Sequence, residues 1–136
     1  MNARRGTRFD ATALSIALVT IAAILVSLTQ VFAGQADVVG VEAQRQAGGS
    51  WRFDVTVRHA DKGWDHYADK WVVEGLDGAV YGERVLLHPH ETEQPFTRSQ
   101  SGIEIPNDVS SVAVRAHDSV HGFGGAGMSV GLDRLR

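Results

Sequence analysis

WRFDVTVR, residues 51–58, decides how this chain folds. Trp51, Phe53, Val55 and Val57 alternate with Arg52, Asp54, Thr56 and Arg58. A period of two puts the apolar side chains on one face of an extended strand and the polar ones on the other. An apolar face of that kind needs a second layer to cover it.

The neighbouring segments supply that layer. Upstream, DVVGVEAQRQ (37–46) is a weaker strand that ends at the turn signal Gly48-Gly49-Ser50. Downstream, KWVVEG (70–75) forms a third strand, Leu76-Asp77-Gly78 a tight hairpin turn, and AVYGERVLL (79–87) the return. Residues 97–105 make a fifth strand that stops at Pro106. SSVAVRAH (110–117) alternates again, and residues 127–133 close the domain with Met128, Val130 and Leu132 on one side.

Seven short strands at roughly ten-residue spacing predict an all-β fold, an immunoglobulin-like antiparallel β-sandwich. Trp71 falls where such domains bury a tryptophan on the third strand, and Trp51, Phe53 and Trp71 read as core. Residues 64–70 have room for one helical turn. The architecture resembles small exported immunoglobulin-like and copper-binding β-sandwich domains in general terms, with no diagnostic motif for any one of them.

The amino terminus has a different character. Arg4, Arg5 and Arg8 precede the uncharged run ATALSIALVTIAAILVSLT (11–29), and Val31 and Ala33 suit a small-x-small cleavage site. Residues 1–33 are therefore expected to be a signal peptide cut after Ala33, or else an uncleaved membrane anchor through 11–29. Both place residues 34–136 as a single β-sandwich domain outside the cytoplasmic membrane, periplasmic or extracellular. Without Arg4, Arg5, Arg8 and Asp10 the rest holds 10 basic and 15 acidic residues, a net charge near −5. That balance excludes a nucleic-acid partner and docking on anionic lipid, so membrane contact is left to the amino-terminal segment if it stays attached. The chain has no cysteine, which excludes disulfides, thiolate metal sites and blue copper.

All six histidines lie between residues 59 and 121, in three stretches that each join two strands: DVTVRHADKGWDHYADKW, LLHPHETEQPF and AVRAHDSVHGFGG. With strand 51–58 pointing up, alternating crossings bring all three to the same end. The bottom turns hold no histidine. Imidazole with carboxylate suits copper or zinc. The expected ligands are His88, His90 and His121 first, then His66 and His117. Secondary candidates are His59, Asp65, Glu91 and Asp118, with Asp61 and Asp69 as oxygen donors or acceptors beside the imidazoles.

The same rim carries Trp64, Tyr67 and Phe96, aromatics suited to stacking on a sugar or peptide or to roofing the core. Gly122–Gly127 lacks the lysine and helix of a phosphate loop and reads as a flexible turn. Neither Ser119 near His117 nor the Glu91/Glu93 pair completes a catalytic arrangement.

The leading expectation is a non-enzymatic copper- or zinc-binding module for metal carriage, buffering or sensing. Its partners would be the ion and, for carriage, an envelope protein. The alternative is an immunoglobulin-like interaction module that uses the aromatic and histidine rim to bind a protein or glycan. A metal-dependent enzyme is the third reading.

Overall fold

A computed structural model describes residues 34–136. The signal or anchor expected over residues 1–33 lies outside the described residues. Seven strands follow in order: β1 (Asp37–Arg45), β2 (Trp51–Arg58), β3 (Ala68–Glu74), β4 (Val80–Val85), β5 (Phe96–Ile103), β6 (Ser111–Asp118) and β7 (Met128–Gly131). They form two antiparallel sheets, one in the order β1-β2-β5 and one in the order β4-β3-β6-β7. A 3-10 turn, Asp133–Leu135, ends the chain. No helix among the described residues is long and apolar enough to cross a membrane.

Alternation fills the space between the sheets. Trp51, Phe53, Val55 and Val57 of β2 are all buried and share one core with Trp71 and Val73 of β3 and Val112, Val114 and Ala116 of β6. Each large apolar side chain so buried contributes about 1.5–3 kcal/mol. β1 reads weakly in sequence because a bulge between Val38 and Gly40 breaks its register with β2.

Every strand but β2 has an end that differs by one or two residues from the pattern-based range, and the shifts at β3 and β4 have a clear cause. β3 starts at Ala68, two residues early, because Ala68 pairs with Asp118 of β6. β4 stops at Val85, after which Leu86 donates its amide to the Asp69 carbonyl. The room for a helical turn at 64–70 is not used. Lys62 instead bridges to Trp64 and His66, and its amide donates to the His66 carbonyl.

Strand directions place the loops. The connections 59–67, 86–95 and 119–127 all leave the same end of the sandwich. β1 runs antiparallel to β2 with Asp37 opposite Arg58, so residues 34–36 arrive at that end too. Gly125 lets the β1 lead-in pass close, since a Cβ there would collide with the Ala36 carbonyl. The Val38 amide donates to the Ala126 carbonyl at 2.8 Å. The glycine-rich segment thus packs against backbone.

Candidate metal centre

Two polar residues extend the apolar alternation by one step. In β2 the inward series 51, 53, 55, 57 continues to His59, and in β6 the series 112, 114, 116 continues to Asp118. His59 is 2% exposed and Asp118 0%. An imidazole and a carboxylate therefore cap the same end of the core, where burial without a partner is costly.

Asp61 holds His59 in place. Its Oδ1 accepts from His59 Nδ1 at 2.5 Å and from the Ala68 amide at 3.0 Å, while Oδ2 accepts the His90 amide at 2.6 Å. Both side chains of the His59–Asp61 pair are fully buried. With Asp61 accepting from two amides as well, the His59 proton resides on Nδ1 and Nε2 presents a lone pair. A carboxylate behind an imidazole in this way fixes a ligand tautomer. Gln94 ties the loops together, accepting the His59 amide at 3.0 Å and donating to the His90 carbonyl at 2.9 Å.

His66 completes the cluster. The tight loop turns at Gly63, whose φ of +59° suits glycine. His66 Nε2 then sits 3.2 Å from His59 Nε2, 3.2 Å from Asp118 Oδ1 and 3.0 Å from the Gly34 carbonyl oxygen. The Gly34 oxygen is also 3.1 Å from His59 Nε2. His121 stands at the edge, its Nδ1 3.3 Å from Asp118 Oδ1 and its ring centre 5.0 Å from that of His66.

Asp118 is unevenly used. Oδ1 accepts the amides of Val120 at 2.9 Å and His121 at 2.7 Å, whereas the buried Oδ2 has no hydrogen-bond partner among the described residues. Burial pushes its pKa up, but the His121 and Val120 amides, with His121 and His59 nearby, outweigh it and hold the carboxyl below the ordinary carboxylate range.

A proton count shows what this pocket lacks. Gly34 O, His59 Nε2, His66 Nε2 and Asp118 Oδ1 all present lone pairs. With neutral imidazoles only one N–H, on His66 Nε2, can serve all four. The remaining close contacts set acceptor against acceptor, which a cation relieves. Metal–ligand bonds near 2.0 Å at tetrahedral angles place neighbouring ligand atoms about 3.3 Å apart. Four contacts of 3.0–3.2 Å in the cluster match that spacing, and the ligand atoms of His59, His66 and Asp118 all lie within 4.8 Å of one another. His59, His66 and Asp118 can therefore hold a metal ion.

The other expected ligands lie elsewhere. His88 is exposed, with Nδ1 on the Pro89 carbonyl. His90 stacks on Phe96 with ring centres 3.9 Å apart, and burial, then the charges of Arg98 and His88, hold its pKa below the usual histidine value. Both are leading candidates by sequence, yet they sit on the far side of Asp61 from His59, where Arg84 and Arg98 line the same cavity. His117 points to the outer face of β6, and its Nδ1 is 2.5 Å from Asp69 Oδ1. Asp65 is exposed, and Glu91 accepts the Gly63 amide. Of the rim aromatics, Phe96 is core at 1% exposure, while Trp64 is 65% exposed and packs edge-on against Tyr67.

Gly34 is not among the expected ligands, and His59 is only a secondary one. Both carried a signal. One more step of the β2 alternation points His59 inward, and the same parity that gathered the loops brings the start of β1 to their end.

No family model and no solved structure matches the chain. A protein of Halomicrobium mukohataei described as "Putative lipoprotein" is 49% identical over 96 residues, which is 71% of this chain and 47% of that protein. The chain thus spans about half the length of the curated relative it matches.

Proposed function

We propose that this domain is an exported, non-enzymatic metal-binding module that takes copper or zinc at His59, His66 and Asp118, with the Gly34 carbonyl and His121 within reach. Metal carriage, buffering or sensing follows from such a site. The observation that carries the reading is the convergence of four lone-pair atoms on one buried point with a proton for one of them. Imidazole nitrogen with one carboxylate suits Cu(II) and Zn(II) better than the oxygen-seeking Ca²⁺ or Mg²⁺.

Export is supported by the basic and apolar composition of residues 1–33 and by the lipoprotein description of the relative. The strand order, with β1-β2-β5 against β4-β3-β6-β7 and a buried Trp71 on β3, supports an immunoglobulin-like assignment of the sandwich.

Calorimetric titration of the protein with Cu(II) and Zn(II) tests the reading. One equivalent is expected to bind to the wild type, and affinity is expected to drop at least 100-fold in the His59→Ala/His66→Ala variant. Equal binding by the variant would remove the proposal. The exposed Trp64 beside Tyr67 favours a second reading, a rim that docks a protein or glycan.

A further inference from the structure

A second constellation lies where β4 and β5, the edge strands of the two sheets, come together. A cavity of about 70 Å³ there is lined by Arg84 and Leu86, by His88 and His90 of the 86–95 connection, and by Arg98 of β5, with Val85 and Leu87 alongside. None of the lining residues is acidic. The cavity exceeds the roughly 10–15 Å³ that one water needs, and it is far smaller than a drug-sized pocket.

Its polar atoms are short of partners. The His90 side chain is 3% exposed, and neither ring nitrogen has a hydrogen-bond partner among the described residues. Arg84 Nε is buried and equally unpartnered. Arg98 is held from outside by Glu93, which accepts from Nη2 at 3.0 Å and Nη1 at 3.3 Å, while Nη1 also donates to the Thr97 carbonyl at 2.7 Å. Two guanidiniums and two imidazoles thus share a small, half-enclosed space. Burial, then the charges of Arg98 and His88, lower the His90 pKa against the opposing pull of Asp61, whose Oδ2 is 3.9 Å from His90 Nδ1, and of Glu93.

We propose that this cavity binds a small oxyanion (phosphate, sulfate or a carboxylate group), with the Arg84 guanidinium as the charged donor and a His90 ring N–H as the neutral one. Arginine N–H groups make short, charge-assisted bonds to such oxygens. The anion would sit between the sheets and offset the repulsion between Arg84 and Arg98. The site is separate from the His59–His66–Asp118 cluster, and its test does not depend on metal.

The test is an NMR titration of the full chain, kept metal-free with a chelator, using sodium phosphate, sulfate and acetate against chloride at constant ionic strength. Saturable shifts centred on the His90 ring and the Arg84 Nε–H are expected. The three arms separate the phosphate, sulfate and carboxylate sources. Arg84→Gln is expected to weaken the effective anion at least tenfold. Shifts that chloride reproduces, or unchanged affinity in Arg84→Gln, would overturn the proposal. If Arg84→Gln does not fold, the wild-type titration decides alone: localised saturation supports the site and its absence removes it.

Discussion

His59 Nε2 and His66 Nε2 face each other at 3.2 Å, with the Gly34 carbonyl oxygen within 3.1 Å of both. Two imidazoles approach so closely only around something shared, a proton or a metal ion. With its Nδ1–H held by Asp61, His59 offers Nε2 as a lone pair, and the fully buried Asp118 places a carboxylate oxygen 3.2 Å from His66 Nε2.

Asp61 should act on affinity through His59. Asp61→Asn replaces the carboxylate behind the imidazole with an amide and is expected to weaken Cu(II) or Zn(II) binding by about 10–100-fold. Competition with a chromophoric chelator measures this. Unchanged affinity in a folded variant would show that Asp61 only packs the loop.

Gly34 has φ +138°, and a Cβ there would lie 3.0 Å from His121 Cε1. In the chain that keeps Ala33, Gly34→Ala is expected to cost about 1–3 kcal/mol through backbone strain, read by urea unfolding, and to move the His121 ring resonances. A variant as stable as wild type, with unmoved resonances, would contradict this placement.

His90 sets a pH dependence. Burial, then Arg98 and His88, hold its folded pKa below the ordinary 6.5. As pH falls below 6.5 the unfolded chain takes up a proton that the folded chain still refuses. The stability contributed is complete above 6.5 and is lost as pH drops through the folded value. Denaturant midpoints measured from about pH 8 to pH 5 should fall on the acid side, and His90→Gln should flatten that slope.

Phe53 lies at 0% exposure in the middle of β2. Phe53→Ala is expected to cost about 3–5 kcal/mol, a large part of the ~5–15 kcal/mol that stabilises a domain of this size. Thermal unfolding followed by circular dichroism reads the loss.

Trp64 separates the two functional readings. At 65% exposure its replacement by Ala should change stability by no more than about 0.5 kcal/mol. The metal reading predicts unchanged affinity for Cu(II) or Zn(II). Loss of capture from an envelope extract in Trp64→Ala, with His59→Ala unaffected, would favour the docking rim.

The residues that made the fold legible are those with clean alternation. WRFDVTVR and VAVRAH define β2 and β6, and parity then gathers the histidine-bearing loops. The finer choice among histidines was not legible, because loop position does not say which way a ring points. His88 and His90 flank a proline and look paired for a metal, yet His90 turns onto Phe96 and His88 onto the Pro89 carbonyl. His59 and Asp118 continue strand alternation, so their direction was readable from period two. Asp61 joins them through contacts to Ala68 and His90 that no local pattern reveals.

One carboxylate touches both neighbourhoods. Asp61 gives one oxygen to the imidazole that faces His66 and the other to the amide of the residue that walls the arginine cavity. Any free energy by which occupancy of one site alters the other through this shared carboxylate must be the same in both directions.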